Sequence, residues 1–196
     1  IEQLNFPPYN DVDNTSIKYI YINEFSESSD DDDNDETINT FNNSLQDATN
    51  NNNLSSYLAS NDSDYCDIFY LIRQGKLHFI QSILSNLSPL EMLRFVNQTN
   101  NIGITPFMLS ILTQRYKIFS FLLSPSPSSI FYSHLQTLQT ESFVDINVVD
   151  NYGVNALLYA CTVGDLRVIL SLLCLKNINI SCKDYFGRNI LHYLCQ

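Results

Sequence analysis

The sequence predicts an all-α fold of stacked helix-turn-helix units preceded by a disordered acidic segment, and three observations point to it. Composition and charge change together near residues 62–64. Further along, three segments align on a shared glycine that follows an Asn or Asp by three positions, at Gly103, Gly153 and Gly187. Behind each glycine an apolar stretch of helical length begins, and in two of the three a second, amphipathic stretch follows.

The change of composition sets the organisation. A chain of 196 residues corresponds to one ordinary domain, or to a smaller domain with a tail. The first 63 residues hold 13 acidic side chains against Lys18 alone, a net −12. The remainder holds 8 acidic against 9 basic, a net +1, and the two parts give the −11 of the whole chain. The low pI therefore describes the tail. No basic stripe is visible along the sequence that would neutralise a phosphate backbone, so no direct nucleic-acid partner is expected.

Five cysteines, Cys66, Cys161, Cys174, Cys182 and Cys195, include no Cys-x-x-Cys pair, and an odd number argues for free thiols in a reducing compartment, cytoplasmic or nuclear. No apolar run reaches the roughly 18 residues of a bilayer span, and the N-terminus carries no leader pattern. No membrane contact is expected from this segment.

The tail, residues 1–63, is densest in charge from Glu24 to Glu36, and Asn50 to Asn53 follow. Like charges that repel and bury nothing cannot offset their ordering entropy, which predicts disorder. Ser28 and Ser29 each precede an Asp by three residues, a pattern resembling acid-directed kinase sites of the casein kinase 2 type; a plain solvating linker is the equal alternative. Ile17 to Ile22 has the β-branched and aromatic content of a strand, and reads as either a remnant of a preceding domain or a short docking peptide.

The repeats carry the fold. The aligned segments are Asn100-Asn-Ile-Gly103-Ile-Thr-Pro-Phe, Asp150-Asn-Tyr-Gly153-Val-Asn-Ala-Leu and Asp184-Tyr-Phe-Gly187-Arg-Asn-Ile-Leu, with Phe107, Leu157 and Leu191 four places after the glycine. Second helices are predicted over Tyr116 to Leu123 and Leu166 to Leu173, each ending in Leu-Leu. Together these segments resemble the ankyrin repeat, whose pattern reads Asp-x-x-Gly-x-Thr-Pro-Leu-His-x-Ala-Ala, with a Gly between the helices and a Leu-Leu near the end. Thr105-Pro106 matches the opening dipeptide, where Pro suits the first helical turn. Ala160 and Cys161 take the small-residue sites, Gly164 the interhelical Gly and His192 the motif His. The resemblance implies an ankyrin-repeat solenoid over residues 64–196, with copies at about 64–86, 100–123, 150–175 and 184–196, the last truncated.

Spacing agrees and shows one departure. Gly153 to Gly187 is 34 residues, near the period of about 33. Gly103 to Gly153 is 50, which places an insertion at 124–143 containing Ser-Pro-Ser-Pro-Ser-Ser and Ile130-Phe131-Tyr132. A dispensable surface loop is the simpler account of it, a binding loop the alternative. The first copy lacks its opening turn but keeps Gly75, which corresponds to Gln114 and Gly164, and the apolar positions Leu77, Ile80, Ile83 and Leu84. Around residues 88–97 a smaller insertion opens with Ser88-Pro89-Leu90-Glu91, the signature of a capped helix start. At Gln196 the sequence stops within the first helix of a pair, which predicts that the polypeptide continues.

Chemistry is sparse. His78, His134 and His192 are the only histidines and none is read as a metal ligand or a catalytic group; in the family the motif His hydrogen-bonds between neighbouring turns. Cys161 and Cys195 lie one repeat apart and read as buried core residues. The turn glycines are not accompanied by Gly-Lys-Ser/Thr or Gly-x-Gly-x-x-Gly, so no phosphate loop is formed. No catalytic, cofactor-binding or metal-binding residue is expected in this segment, and it is not read as an enzyme.

The resemblance implies instead a protein-interaction module that holds a partner protein on its turn tips and concave face. The residues it implies are Asn101, Ile102 and Ile104; Asn151, Tyr152 and Val154; and Asp184, Tyr185, Phe186 and Arg188. Alternative settings for such a stack are an ankyrin-containing protein acyltransferase, an SPX-ankyrin-phosphodiesterase protein, or a cell-cycle transcription regulator.

Overall fold

The computed structural model describes residues 67–123 and 142–195. The predicted disordered segment 1–63, with Ser28, Ser29 and the stretch Ile17 to Ile22, lies outside the described residues, as do Cys66, His134 and residues 124–141 of the insertion. Among the described residues there are eight helices and no strand, with one isolated antiparallel bridge between Val149 and Asn155.

The helices come in pairs. Helices α1 (Ile68–Arg73) and α2 (Leu77–Ser85) form the first, α4 (Pro106–Leu112) and α5 (Tyr116–Leu123) the second, and α6 (Ala156–Val163) and α7 (Leu166–Leu173) the third. Helix α3 (Pro89–Val96) is inserted after the first pair, and α8 (Ile190–Leu194) follows the third. Each first helix packs on the next, α1 on α4, α4 on α6 and α6 on α8, while each second helix packs on its own first. Contacts therefore run between neighbours along a line.

Short polar side chains start these helices. Thr105, Asn155 and Asn189 are extended N-caps whose side-chain oxygens accept the N–H of Met108 (3.2 Å), Leu158 (3.0 Å) and His192 (3.4 Å). Ser88 and Glu91 make the reciprocal capping box of α3, which satisfies two amides that a helix start leaves orphaned. Within each pair one residue turns the chain in the left-handed region: Gly75 at φ +74°, Gly164 at φ +77° and, between α4 and α5, the non-glycine Gln114 at φ +57°. Gln114 thus takes the conformation of the two glycines with which its sequence position aligns.

The core follows from an all-round apolar pattern. Pro106 to Ile111 in α4 and Ala156 to Cys161 in α6 are buried on every face, as expected of a helix flanked on three sides. The second helices are amphipathic: Val168, Ile169 and Leu172 of α7 face inward, whereas Leu166, Leu170 and Leu173 are exposed. Phe107 stacks on Phe119 at a centroid distance of 5.3 Å and ties α4 to α5.

Two of the sequence expectations are corrected here. Phe143, assigned to the insertion, is 3 % exposed and belongs to the core with Val144, because α3 holds it there. Asn97, at the end of α3, donates from Nδ2 to the Phe143 carbonyl (2.7 Å) and accepts the Asp145 N–H (2.8 Å). Asn147 repeats this clamp one unit later, on the Asn177 carbonyl (2.7 Å) and the Asn179 N–H (2.8 Å). Cys195, expected in the core beside Cys161, is exposed at the C-cap of α8, where no second helix covers it among the described residues, and Leu191 is 63 % exposed on the same helix.

Candidate partner-binding surface

The turns that precede α4, α6 and α8 share one construction. In each, the Asn or Asp side chain folds back on the loop: Asn100 Oδ1 accepts the N–H of Ile102 and Ile104, Asp150 Oδ1 those of Tyr152 and Val154, and Asp184 Oδ1 those of Phe186 and Arg188. The glycine N–H closes the turn on the carbonyl of the same residue at 2.9–3.0 Å. Each turn is therefore built around a single side chain that satisfies amides the loop would otherwise leave unpaired.

Successive turns join edge to edge. The Asn151 N–H donates to the Ile102 carbonyl (3.0 Å) and the Tyr185 N–H to the Tyr152 carbonyl (2.9 Å), while Asn151 Nδ2 reaches the Asn101 carbonyl (3.1 Å). This approach requires glycine. A Cβ on Gly103 would lie 2.8 Å from the Asn151 nitrogen, and one on Gly153 2.8 Å from the Tyr185 ring. Both glycines also hold a positive φ that disfavours a side chain.

Two turns carry a deeper anchor that the sequence reading missed. The Tyr159 hydroxyl donates to Asp150 Oδ2, and the Tyr193 hydroxyl to Asp184 Oδ2 at 2.8 Å. In both cases the tyrosine follows the aspartate by nine residues; in the turn that carries Asn100 the same position is Leu109. The Asp-to-Tyr spacing in two copies, and its joint absence in the third, is the signal that would have exposed the anchor. Burial pushes the Asp150 carboxyl above its usual range, against the Tyr159 hydroxyl and the two amides that favour the charged form. The Tyr193 hydroxyl is pushed up too, first by burial and then by its bond to Asp184.

The ten residues implied as a partner surface divide sharply. Asn101, Asn151, Tyr152 and Tyr185 are exposed, with Tyr152 at 47 % and Tyr185 at 66 %, and Ile102 and Phe186 are half-buried. Ile104 and Val154 are buried, because alternate turn residues point into the stack, and Asp184 is buried because its carboxylate holds the turn together; these three do not face a partner. Arg188 is spent on the turn as well. Its Nε contacts Asp184 Oδ2 at 2.5 Å, and its guanidinium lies 5.2 Å from the Phe186 ring centroid and 5.1 Å from that of Tyr193. The buried faces of α4 and α6 leave little of the first helices to line a concave surface, so the exposed tips themselves are what this edge offers.

His192 and Cys161 both take part in the fold. His192 Nδ1 lies 2.6 Å from Asn189 Oδ1 and accepts the Asn189 N–H, so it closes its own helix start and not a neighbouring turn. Cys161 is buried, which pushes its thiol up to about 11, well away from a reactive thiolate. No group of three or more His, Cys, Asp and Glu side chains converges at metal-binding distance among the described residues, and no helix there is long and apolar enough to cross a membrane. No protein-family model matches this sequence, and no curated protein matches it.

Proposed function

We propose that this region is an ankyrin-type repeat stack that binds a partner protein along its turn tips, with Tyr152 and Tyr185 as the anchors. The observation that carries the reading is the row of hydrogen-bonded turns that presents these two tyrosines side by side on a stiff backbone. An aromatic side chain has few rotatable bonds to fix on binding and brings a large contact area, which is why such residues are enriched among interface anchors. Asn101 and Asn151 flank them with polar groups suited to a rim. The helix pairing, the left-handed residue inside every pair and the Asx-based turns support the family reading.

The test is affinity capture with the whole chain, quantified against Tyr152→Ala, Tyr185→Ala and, as a control on the opposite side, Leu170→Ala. Circular dichroism first establishes that all variants retain the wild-type helix content. The reading predicts that proteins held by the wild type and by the control are depleted in both tyrosine variants. Equal retention by all four proteins sinks it.

A further inference from the structure

We propose that two copies of this chain pair through the exposed face of α7, with Leu170 of one copy against Leu170 of the other on a two-fold axis. Helix α7 is apolar on two faces. Val168, Ile169 and Leu172 are buried in its own stack, while Leu166, Leu170 and Leu173 stand outward at 65, 53 and 42 % exposure. Intervals of four and then three residues set these leucines in one stripe, the spacing of a seam between helices. The corresponding positions are Leu77, Gln81 and Leu84 in α2 and Tyr116, Ser120 and Leu123 in α5, each broken by a polar side chain in the middle. Only α7 carries the stripe whole.

The repeat fixes the direction in which it faces. Tyr116 and Phe119 of α5 line a small cavity together with Asp165 and Val168, so they lie on the side of α5 turned to the next pair. Leu166 corresponds to Tyr116, which turns the stripe to the open end of the described stack. Helix α8 adjoins that end with Leu191 and Leu194 at 63 and 51 % exposure. Leu191 corresponds to Phe107, which is 1 % exposed because Phe119 of a second helix stacks on it. Gly187 agrees: a Cβ there would meet nothing within 4 Å, whereas at Gly103 and Gly153 it would strike the following turn. Among the described residues, α7 and α8 thus border one slot of helix width, the place that a second helix takes in the preceding pairs.

Three features select a second copy as the occupant. The five leucines leave on the order of 500 Å² of apolar surface per copy and about 1,000 Å² in a pair, which meets the lower bound of a specific interface. No ionised side chain interrupts the stripe, because Arg167 turns back over the Tyr116 ring and bonds Asp165, so nothing in it repels the same face of another copy. The stripe also reads nearly alike in both directions about Leu170. An antiparallel crossing sets Leu166 of each copy toward Leu173 of the other, an isologous contact that closes at two copies. The pairing uses none of the turn-tip residues and does not rest on the partner reading above.

Sedimentation equilibrium of the whole chain between about 1 µM and about 0.3 mM tests the proposal. The wild type should pass from monomer to dimer without larger species. Leu170→Glu and Leu170→Lys, at a position exposed in the single copy, should each weaken pairing at least about 100-fold, because like charges meet on the axis. Mixed in equal amounts, these two variants should recover a dimer of one copy of each, since Glu then faces Lys. Leu90→Glu, exposed on α3, should pair as the wild type does, and circular dichroism should give one helix content for all four proteins. A wild type that stays monomeric throughout, or that grows past the dimer, overturns the proposal whatever the variants do. Leu170 variants that pair as tightly as the wild type, or a mixture that stays monomeric, overturn it equally.

Discussion

Replacing Tyr159 by Phe removes one hydroxyl and nothing else, and the structure sets the size of the response. That hydroxyl donates to Asp150 Oδ2, the oxygen that the turn amides do not use, in a carboxylate only 3 % exposed. A hydrogen bond to a charged group contributes about 1.5–3 kcal/mol, and the variant loses it while keeping the ring in place. At roughly 4 °C per kcal/mol for a domain of this size, the melting temperature should fall by about 6–12 °C. The loss should also depend on pH. The folded-state pKa of Asp150 lies above its unfolded value, so the folded chain takes up this proton more readily and the group favours folding at acid pH; that contribution is lost as pH rises through the window between the two values. Without the phenol the folded pKa rises further, so the deficit of Tyr159→Phe should be larger at neutral than at acid pH. Urea denaturation at acid and at neutral pH, in a double-mutant cycle with Asp150→Asn, measures it. A change below about 0.5 kcal/mol at neutral pH, or additive single and double effects, would refute the anchor.

Three further outcomes follow from the same geometry. Gly164→Ala should cost about 1–2 kcal/mol for the left-handed backbone alone, since nothing lies within 4 Å of the new Cβ, whereas Gly153→Ala adds about 1–3 kcal/mol of overlap with Tyr185; chemical denaturation of the two variants should rank them in that order. Asn155→Thr keeps the cap that Thr105 shows to be sufficient in α4 and removes a buried Nδ2 without a hydrogen-bond partner, so the urea midpoint should rise by the equivalent of about 1–2 kcal/mol. With Ellman's reagent at about pH 8, Cys174 and Cys195 should react at once, and Cys161 should do so only as the chain unfolds, which a rate series in urea will show.

How much of this was legible beforehand depends on the kind of signal. Helix starts were, because a cap is a local event: Ser88, Thr105, Asn155 and Asn189 each announce a helix by residue type alone. The left-handed turn at Gln114 was legible only by alignment with Gly75 and Gly164, since nothing in glutamine itself asks for a positive φ. Burial at the tips was not. Ile104 and Val154 adjoin exposed residues in sequence, and only the closure of the turn on its Asx side chain decides which way they point. The apolar composition of Pro106 to Ile111 and Ala156 to Cys161 did say that no face was left for solvent, but the family pattern suggested an open concave side. Arg188 looked like a surface charge, but it joins the buried Asp184 and Tyr193 in one hydrogen-bonded network while itself staying half-buried.

The clamps formed by Asn97 and Asn147 bear on how this architecture tolerates change. The link between α7 and the clamped Asn177 is 3 residues long, while the matching link between α5 and Phe143 is 19. Lengthening a connection by that ratio costs about 1.6 kcal/mol of closure entropy, which two amide hydrogen bonds of about 1 kcal/mol each offset. The architecture keeps register by pairing an amide, not by counting residues. A change of chain length after Leu123 should therefore leave the entry into the next unit fixed, because Asn97 holds it at Phe143 and Asp145.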